Sequence, residues 1–107
     1  MKYYKKLYIG EGLADKREEV IRRLNQRELL LNTYIITLAQ GEQNHLEFFD
    51  SILLHQEIIA EQKLIVVGIA AGYDEALEVV EKITREVYDE TKDTDIRNYI
   101  LNKEKEL

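Results

Sequence analysis

Two stretches constrain the fold of this chain more than anything else in it. Thr33-Tyr34-Ile35-Ile36-Thr37-Leu38-Ala39 and Leu64-Ile65-Val66-Val67-Gly68-Ile69-Ala70 are rich in β-branched residues and apolar on both alternations. Successive side chains of a strand point to opposite faces, so a strand that is apolar at nearly every position must be covered on both sides. The rest of the chain therefore has to supply two covering layers.

The flanking patterns are helical. Leu13, Val20, Leu24 and Leu31 recur at helical spacing with Ile21 beside them, opposite a charged face of Lys16, Arg17, Glu18, Glu19, Arg22 and Arg23, which predicts a helix over 12–28. Leu46, Phe49, Ile52 and Leu53 form a stripe that predicts a second helix over 45–56, capped by Asn44. Gly72 opens the clearest helix, with Tyr73, Ala76, Val80, Ile83 and Val87 on one face. Asp74, Glu75 and Glu78 sit in its first turns, where the helix dipole favours negative charge. Residues 91–94 break it, and Asp93 or Thr94 is expected to cap a last helix around Ile96, Tyr99 and Ile100. Residues 102–107 read as a frayed tail.

The expected order is α-β-α-β-α-α in one domain spanning 1–107, an α/β (or α+β) fold led by a basic, tyrosine-rich segment over 1–10. A helix-containing connection of more than about a dozen residues between the two strands predicts that they pair in parallel under covering helices. An all-α packing is the competing arrangement. Two strands make an uncomfortable sheet, and their outer edges invite pairing with another chain, so a homodimer is expected.

Charge and composition narrow the functions. The net charge is −6, unevenly placed: residues 1–27 carry +4 and residues 28–107 carry −10. An acidic body repels phosphates, so nucleic acid is not an expected partner, although Tyr3, Tyr4 and Tyr8 interleave with Lys2, Lys5 and Lys6. The absence of Cys excludes disulfides, thiolate metal sites and cysteine nucleophiles. With only His45 and His55 available, no metal and no cofactor are expected. Glu42 and His45 form a single Glu-x-x-His motif, where a di-iron bundle needs two. The longest dense apolar run, Leu64 to Gly72, is far short of the roughly 20 residues that span a membrane, and no apolar leader follows Met1. A cytoplasmic address is the expectation.

Two sets of candidate site residues follow. Gly68, Gly72, Tyr73, Asp74 and Glu75 lie where a buried strand turns into a helix N-terminus, the place where α/β domains often hold ligands. The segment lacks the lysine and the three-glycine pattern of phosphate loops, and its two carboxylates suit a cation or simple helix capping. Tyr3, Tyr4, Lys5, Lys6 and Tyr8 form the candidate interaction segment, packed on this chain's own acidic body or a partner's. Glu47, Ser51 and His55 would share a face of the predicted second helix, but a serine inside a regular helix does not present a nucleophile. Tyr34, Tyr73, Tyr88 and Tyr99 fall on different elements and suit core, interface or pocket roles.

The reading favoured by these residues is a small non-enzymatic protein acting by self-association or protein–protein interaction. A ligand-binding module with its pocket at residues 67–75 is the alternative, and an enzyme with a site at a dimer interface is the third.

Overall fold

The computed structural model describes residues 1–39, 45–56 and 64–106. The chain forms β1 (Lys2–Ile9), a 3-10 turn (Glu11–Leu13), α1 (Arg17–Asn25), β2 (Thr33–Leu38) and β3 (Leu46–Asp50). A second 3-10 turn (Ser51–His55), β4 (Ile65–Ala71), α2 (Tyr73–Thr91) and α3 (Ile96–Glu106) complete it. The strands make one mixed four-stranded sheet in the order β1-β4-β2-β3. The fold is a small α/β domain, and its two all-apolar strands, β4 and β2, are the central pair.

Both faces of that pair are covered, as the sequence requires. On one face Ile36, Leu38, Val67 and Ala70 pack against Ala76, Val79, Ile83 and Val87 of α2 and Ile96 and Ile100 of α3. On the other, Ile35, Val66 and Ile69 meet Leu13, Val20, Leu24, Leu30 and Leu54. Each fully buried aliphatic side chain contributes about 1.5–3 kcal/mol relative to exposure. The stripe of α2 differs from the expected one by a small rotation: Val79 is buried where Val80 is only half-buried, and Tyr73 is turned outward at 55% exposure.

Three sequence expectations are corrected. First, residues 2–9 form strand β1, so the order is β-α-β-β-β-α-α rather than α-β-α-β-α-α. Second, residues 46–50 form strand β3 and only a 3-10 turn follows, where a helix over 45–56 was expected. Leu46-Glu47-Phe48-Phe49 fits helical and extended periodicity equally well, and pairing with β2 (Ile35 opposite Phe49, Ile36 opposite Phe48) decides for the strand. The expected cap, Asn44, and Glu42 lie outside the described residues. Third, β2 and β4 run antiparallel, with Ile35 opposite Ile69. The described part of the connection between them holds β3 and a 3-10 turn in place of the expected helix. The parallel pair of this sheet is β1 with β4.

A bulge organises the centre of the sheet. Ile36 pairs with Gly68 and Thr37 with Val66, leaving Val67 as an extra residue in β4. Opposite it, β1 is irregular between Tyr3 and Tyr8, and Lys5 and Lys6 stand exposed there while Tyr4 and Leu7 are buried. The last helix is capped by Asp95, one position beyond the expected pair: its Oδ1 accepts the Asn98 N–H at 3.2 Å. That helix continues through residues 102–106, which were expected to fray, and Leu107 lies outside the described residues. No described helix is long and apolar enough to cross a membrane.

Candidate functional site

At the strand–turn–helix junction the five candidate ligand residues have separate surroundings. Gly68 is buried in the sheet, where an added Cβ would stand 3.1 Å from Val79 Cγ1 and 3.2 Å from the Tyr8 carbonyl oxygen. Gly72 precedes α2 with φ +94°, a conformation L side chains rarely adopt, against the side chain of Asn32. Glu75 turns back from the first turn of α2, its Oε1 accepting the Gly12 N–H at 2.7 Å and its Oε2 the Ala71 N–H. The carboxylate thus ties β4, the start of α2 and the turn after β1 together. Asp74 and Tyr73 point outward from the same turn.

The five candidate interaction residues lie on the edge strand β1, where Tyr8 meets a glutamate of the acidic α2 and the Lys5 backbone meets one of α3. Tyr4 is buried and stacks on Tyr8 with ring centroids 6.3 Å apart. The Tyr8 hydroxyl donates to Glu86 Oε2 at 2.8 Å, and burial followed by this carboxylate pushes the phenol well above its usual range. The Tyr3 hydroxyl donates to Asn25 Oδ1 at 3.3 Å, and the Lys5 backbone N–H donates to Glu104 Oε2 at 3.1 Å. Tyr4, Tyr8, Tyr99, Glu86 and Lys103 line a groove of about 400 Å³ between β1, α2 and α3. The Tyr99 hydroxyl donates to Glu90 Oε2 at 3.0 Å, and Lys103 lies 3.6 Å from that carboxylate and 5.6 Å over the Tyr99 ring. These groups are engaged with one another.

The polar trio expected on one helical face is dispersed. Glu47 is exposed on β3, His55 is exposed at the end of the following turn, and Ser51 is buried with its hydroxyl donating to the Leu30 carbonyl at 3.4 Å. Among the described residues no group of three or more His, Asp and Glu gathers that could hold a metal ion.

What the sequence did not bring forward is the opposite edge of the sheet. Tyr34 from β2, Phe48 from β3 and Tyr73 from α2 converge, with centroids 6.1 Å apart for Tyr34–Tyr73, 5.6 Å for Phe48–Tyr73 and 6.3 Å for Tyr34–Phe48. Leu77, one turn beyond Tyr73, is also exposed. The cluster borders β3, the outer strand of the described sheet. The sequence places Tyr34 in a strand and Tyr73 at the strand–turn–helix junction, with core, interface or pocket roles open to both, but Phe48 joins them only if residues 46–50 are a strand. A second exposed apolar pair, Leu29 and Leu31, lies on the loop after α1, where no strand edge accompanies it.

No family model matches this chain, and neither a curated protein nor a solved structure was found that is similar to it.

Proposed function

We propose that this chain is a non-enzymatic, cytoplasmic association domain that takes up an additional β-strand along β3. The observation that carries the reading is the contrast between the two edges of the sheet. Strand β1 has the features that block edge pairing: it is irregular, it exposes Lys5 and Lys6, and one of its N–H groups is spent on Glu104. Among the described residues strand β3 shows none of these. It pairs residue for residue with β2 from Leu46 to Asp50, contains no Lys or Pro, and is flanked by the Tyr34–Phe48–Tyr73 cluster.

Strand addition draws affinity from main-chain hydrogen bonds and specificity from side chains on alternate positions. Here the alternate positions on the α2 face are Leu46 and Phe48, both half-buried. The exposed Tyr73 and the half-buried Tyr34 and Phe48 offer contact area at low entropic cost.

The test is hydrogen–deuterium exchange of the full chain, diluted until sedimentation shows it monomeric, with and without a saturating peptide spanning residues 45–51. Slowed exchange of the Leu46, Phe48 and Asp50 amides, abolished by Phe48→Lys, is the expected result. A peptide that leaves those amides unchanged overturns the reading.

A further inference from the structure

Resting on this strand-addition reading, we infer that the added strand is β3 of a second copy of the chain, antiparallel, with Phe48 facing Phe48 across a two-fold axis. The backbone fixes which groups are on offer. The Ala39 N–H donates to the His45 carbonyl at 3.0 Å, so positions 39 and 45 form a hydrogen-bonded pair. Such pairs alternate along an antiparallel ladder, so Glu47 and Phe49 direct their N–H and C=O toward β2. Leu46, Phe48 and Asp50 therefore direct theirs outward, to an edge that no described strand occupies.

Symmetry and charge select the register. A two-fold axis normal to the sheet leaves every side chain on its own face, and opposed residues of an antiparallel pair share a face. The axis must then pass beside a residue, not between two. Centred on Glu47, the pairing sets two carboxylates directly opposite each other, which is destabilising. Centred on Phe49, it pairs only residues 48–50 of the strand. Centred on Phe48 it pairs all of Leu46–Asp50, sets Glu47 against Phe49 and Leu46 against Asp50, and joins the two Tyr34–Phe48–Tyr73 clusters into one apolar seam. No like charges are opposed. Two four-stranded sheets become one continuous sheet whose outer edges are both the obstructed β1, so assembly closes at the dimer.

The chain contains no cysteine, so a single introduced one reports the register directly. Residues of a hydrogen-bonded antiparallel pair have Cα atoms about 5.5 Å apart, within the range of about 4.4–6.8 Å that a disulfide bridges. Sedimentation velocity on the full wild-type chain is expected to show a concentration-dependent dimer. Phe48→Lys, which opposes two ammonium groups at the axis, is expected to weaken that dimer about a hundredfold. Mild oxidation is expected to cross-link Phe48→Cys in higher yield than Glu47→Cys or Phe49→Cys.

A wild-type chain that stays monomeric at about 100 μM, a concentration at which micromolar affinities saturate, overturns the assignment of a second copy. If the strand peptide still protects β3 in that case, strand addition stands and only the partner was wrong. A dimer that tolerates Phe48→Lys, or that cross-links best at position 47 or 49, overturns the interface or its register. Should Phe48→Cys fold poorly, concentration-dependent protection of the Leu46, Phe48 and Asp50 amides in the wild type decides instead: its presence supports the interface and its absence overturns it.

Discussion

Glu75 Oε1 accepts a 2.7 Å hydrogen bond from the backbone N–H of Gly12, a residue 63 positions earlier in the chain. The other carboxylate oxygen accepts the Ala71 N–H, so one side chain satisfies two backbone donors from two segments. Gly10 leaves it the room, since an added Cβ there would collide with the Glu75 carboxylate, and one at Gly12 would approach Ala71 Cβ to 2.7 Å. A glutamate at the third position of a helix commonly reaches back to the residues before it, and here it also reaches across to a neighbouring turn.

Charge-assisted hydrogen bonds are stronger than neutral ones, and here one donor, Gly12, is exposed and the other, Ala71, half-buried. Glu75→Ala is therefore expected to destabilise the fold by about 1–2 kcal/mol, measured by urea unfolding. Glu75→Gln is expected to lose most of the same amount, because an amide presents one acceptor and one donor to two N–H groups. Asp74→Ala, on the exposed side of the same turn, should stay within about 0.5 kcal/mol of the parent. Equal effects at positions 74 and 75 would contradict the bracing role.

Gly68→Ala tests the packing at the central bulge. The new methyl would stand 3.1 Å from Val79 Cγ1, 3.2 Å from the Tyr8 carbonyl oxygen and 3.4 Å from Ile36 Cδ1. The valine and isoleucine methyls can shift, whereas the Tyr8 carbonyl is held in the backbone of β1. A loss of about 1–3 kcal/mol is expected, as for overpacked cores in general. Unchanged stability in thermal or urea unfolding would show that β1 moves freely relative to β4.

Much of this architecture was legible from local pattern. The two all-apolar runs announced a sheet covered on both faces, and the 3.6-residue stripe after Gly72 announced α2. The strands that escaped notice failed for different reasons. In β1, the apolar positions Tyr4, Leu7, Tyr8 and Ile9 are interrupted by the exposed Lys5 and Lys6, which breaks the alternation that marks a strand. In β3, five residues are too few to separate a helical stripe from an extended one, and only pairing with β2 decides. The candidate ligand residues were visible as a strand–turn–helix motif, but nothing in the local sequence shows that Glu75 spends its carboxylate on Gly12. The aromatic cluster was hidden for the same reason: Tyr34, Phe48 and Tyr73 are brought together by topology alone.

Thr37 offers a prediction in the opposite direction. It is fully buried in β2, and its hydroxyl has no hydrogen-bond partner among the described residues. An unsatisfied buried hydroxyl costs free energy that a methyl of the same shape does not. Thr37→Val is expected to raise stability by about 1 kcal/mol. For a domain of this size that is a rise of about 4–8 °C in Tm, read by calorimetry. A drop would mean that the hydroxyl is satisfied in solution.

The last prediction concerns high pH. Burial, and then the hydrogen bond to Glu90, push the Tyr99 phenol up from 10 to about 12. Tyr8 is displaced in the same direction by burial and Glu86. An unfolded tyrosine ionises near 10, so above that pH the unfolded chain has released a proton that the folded chain retains. The unfolded state then binds fewer protons, and stability falls as pH rises. The contribution is complete below pH 10 and is lost between 10 and about 12 for Tyr99, with Tyr8 extending the loss to higher pH. Urea unfolding of the wild type across this window should show a steady decline, and Tyr99→Phe should make it shallower. Tyr8→Phe should do the same, and the double variant should flatten it further. An identical slope in all four proteins would show that neither phenol retains its proton in the folded state beyond the ordinary range, and that the groove leaves both hydroxyls in solvent-like surroundings.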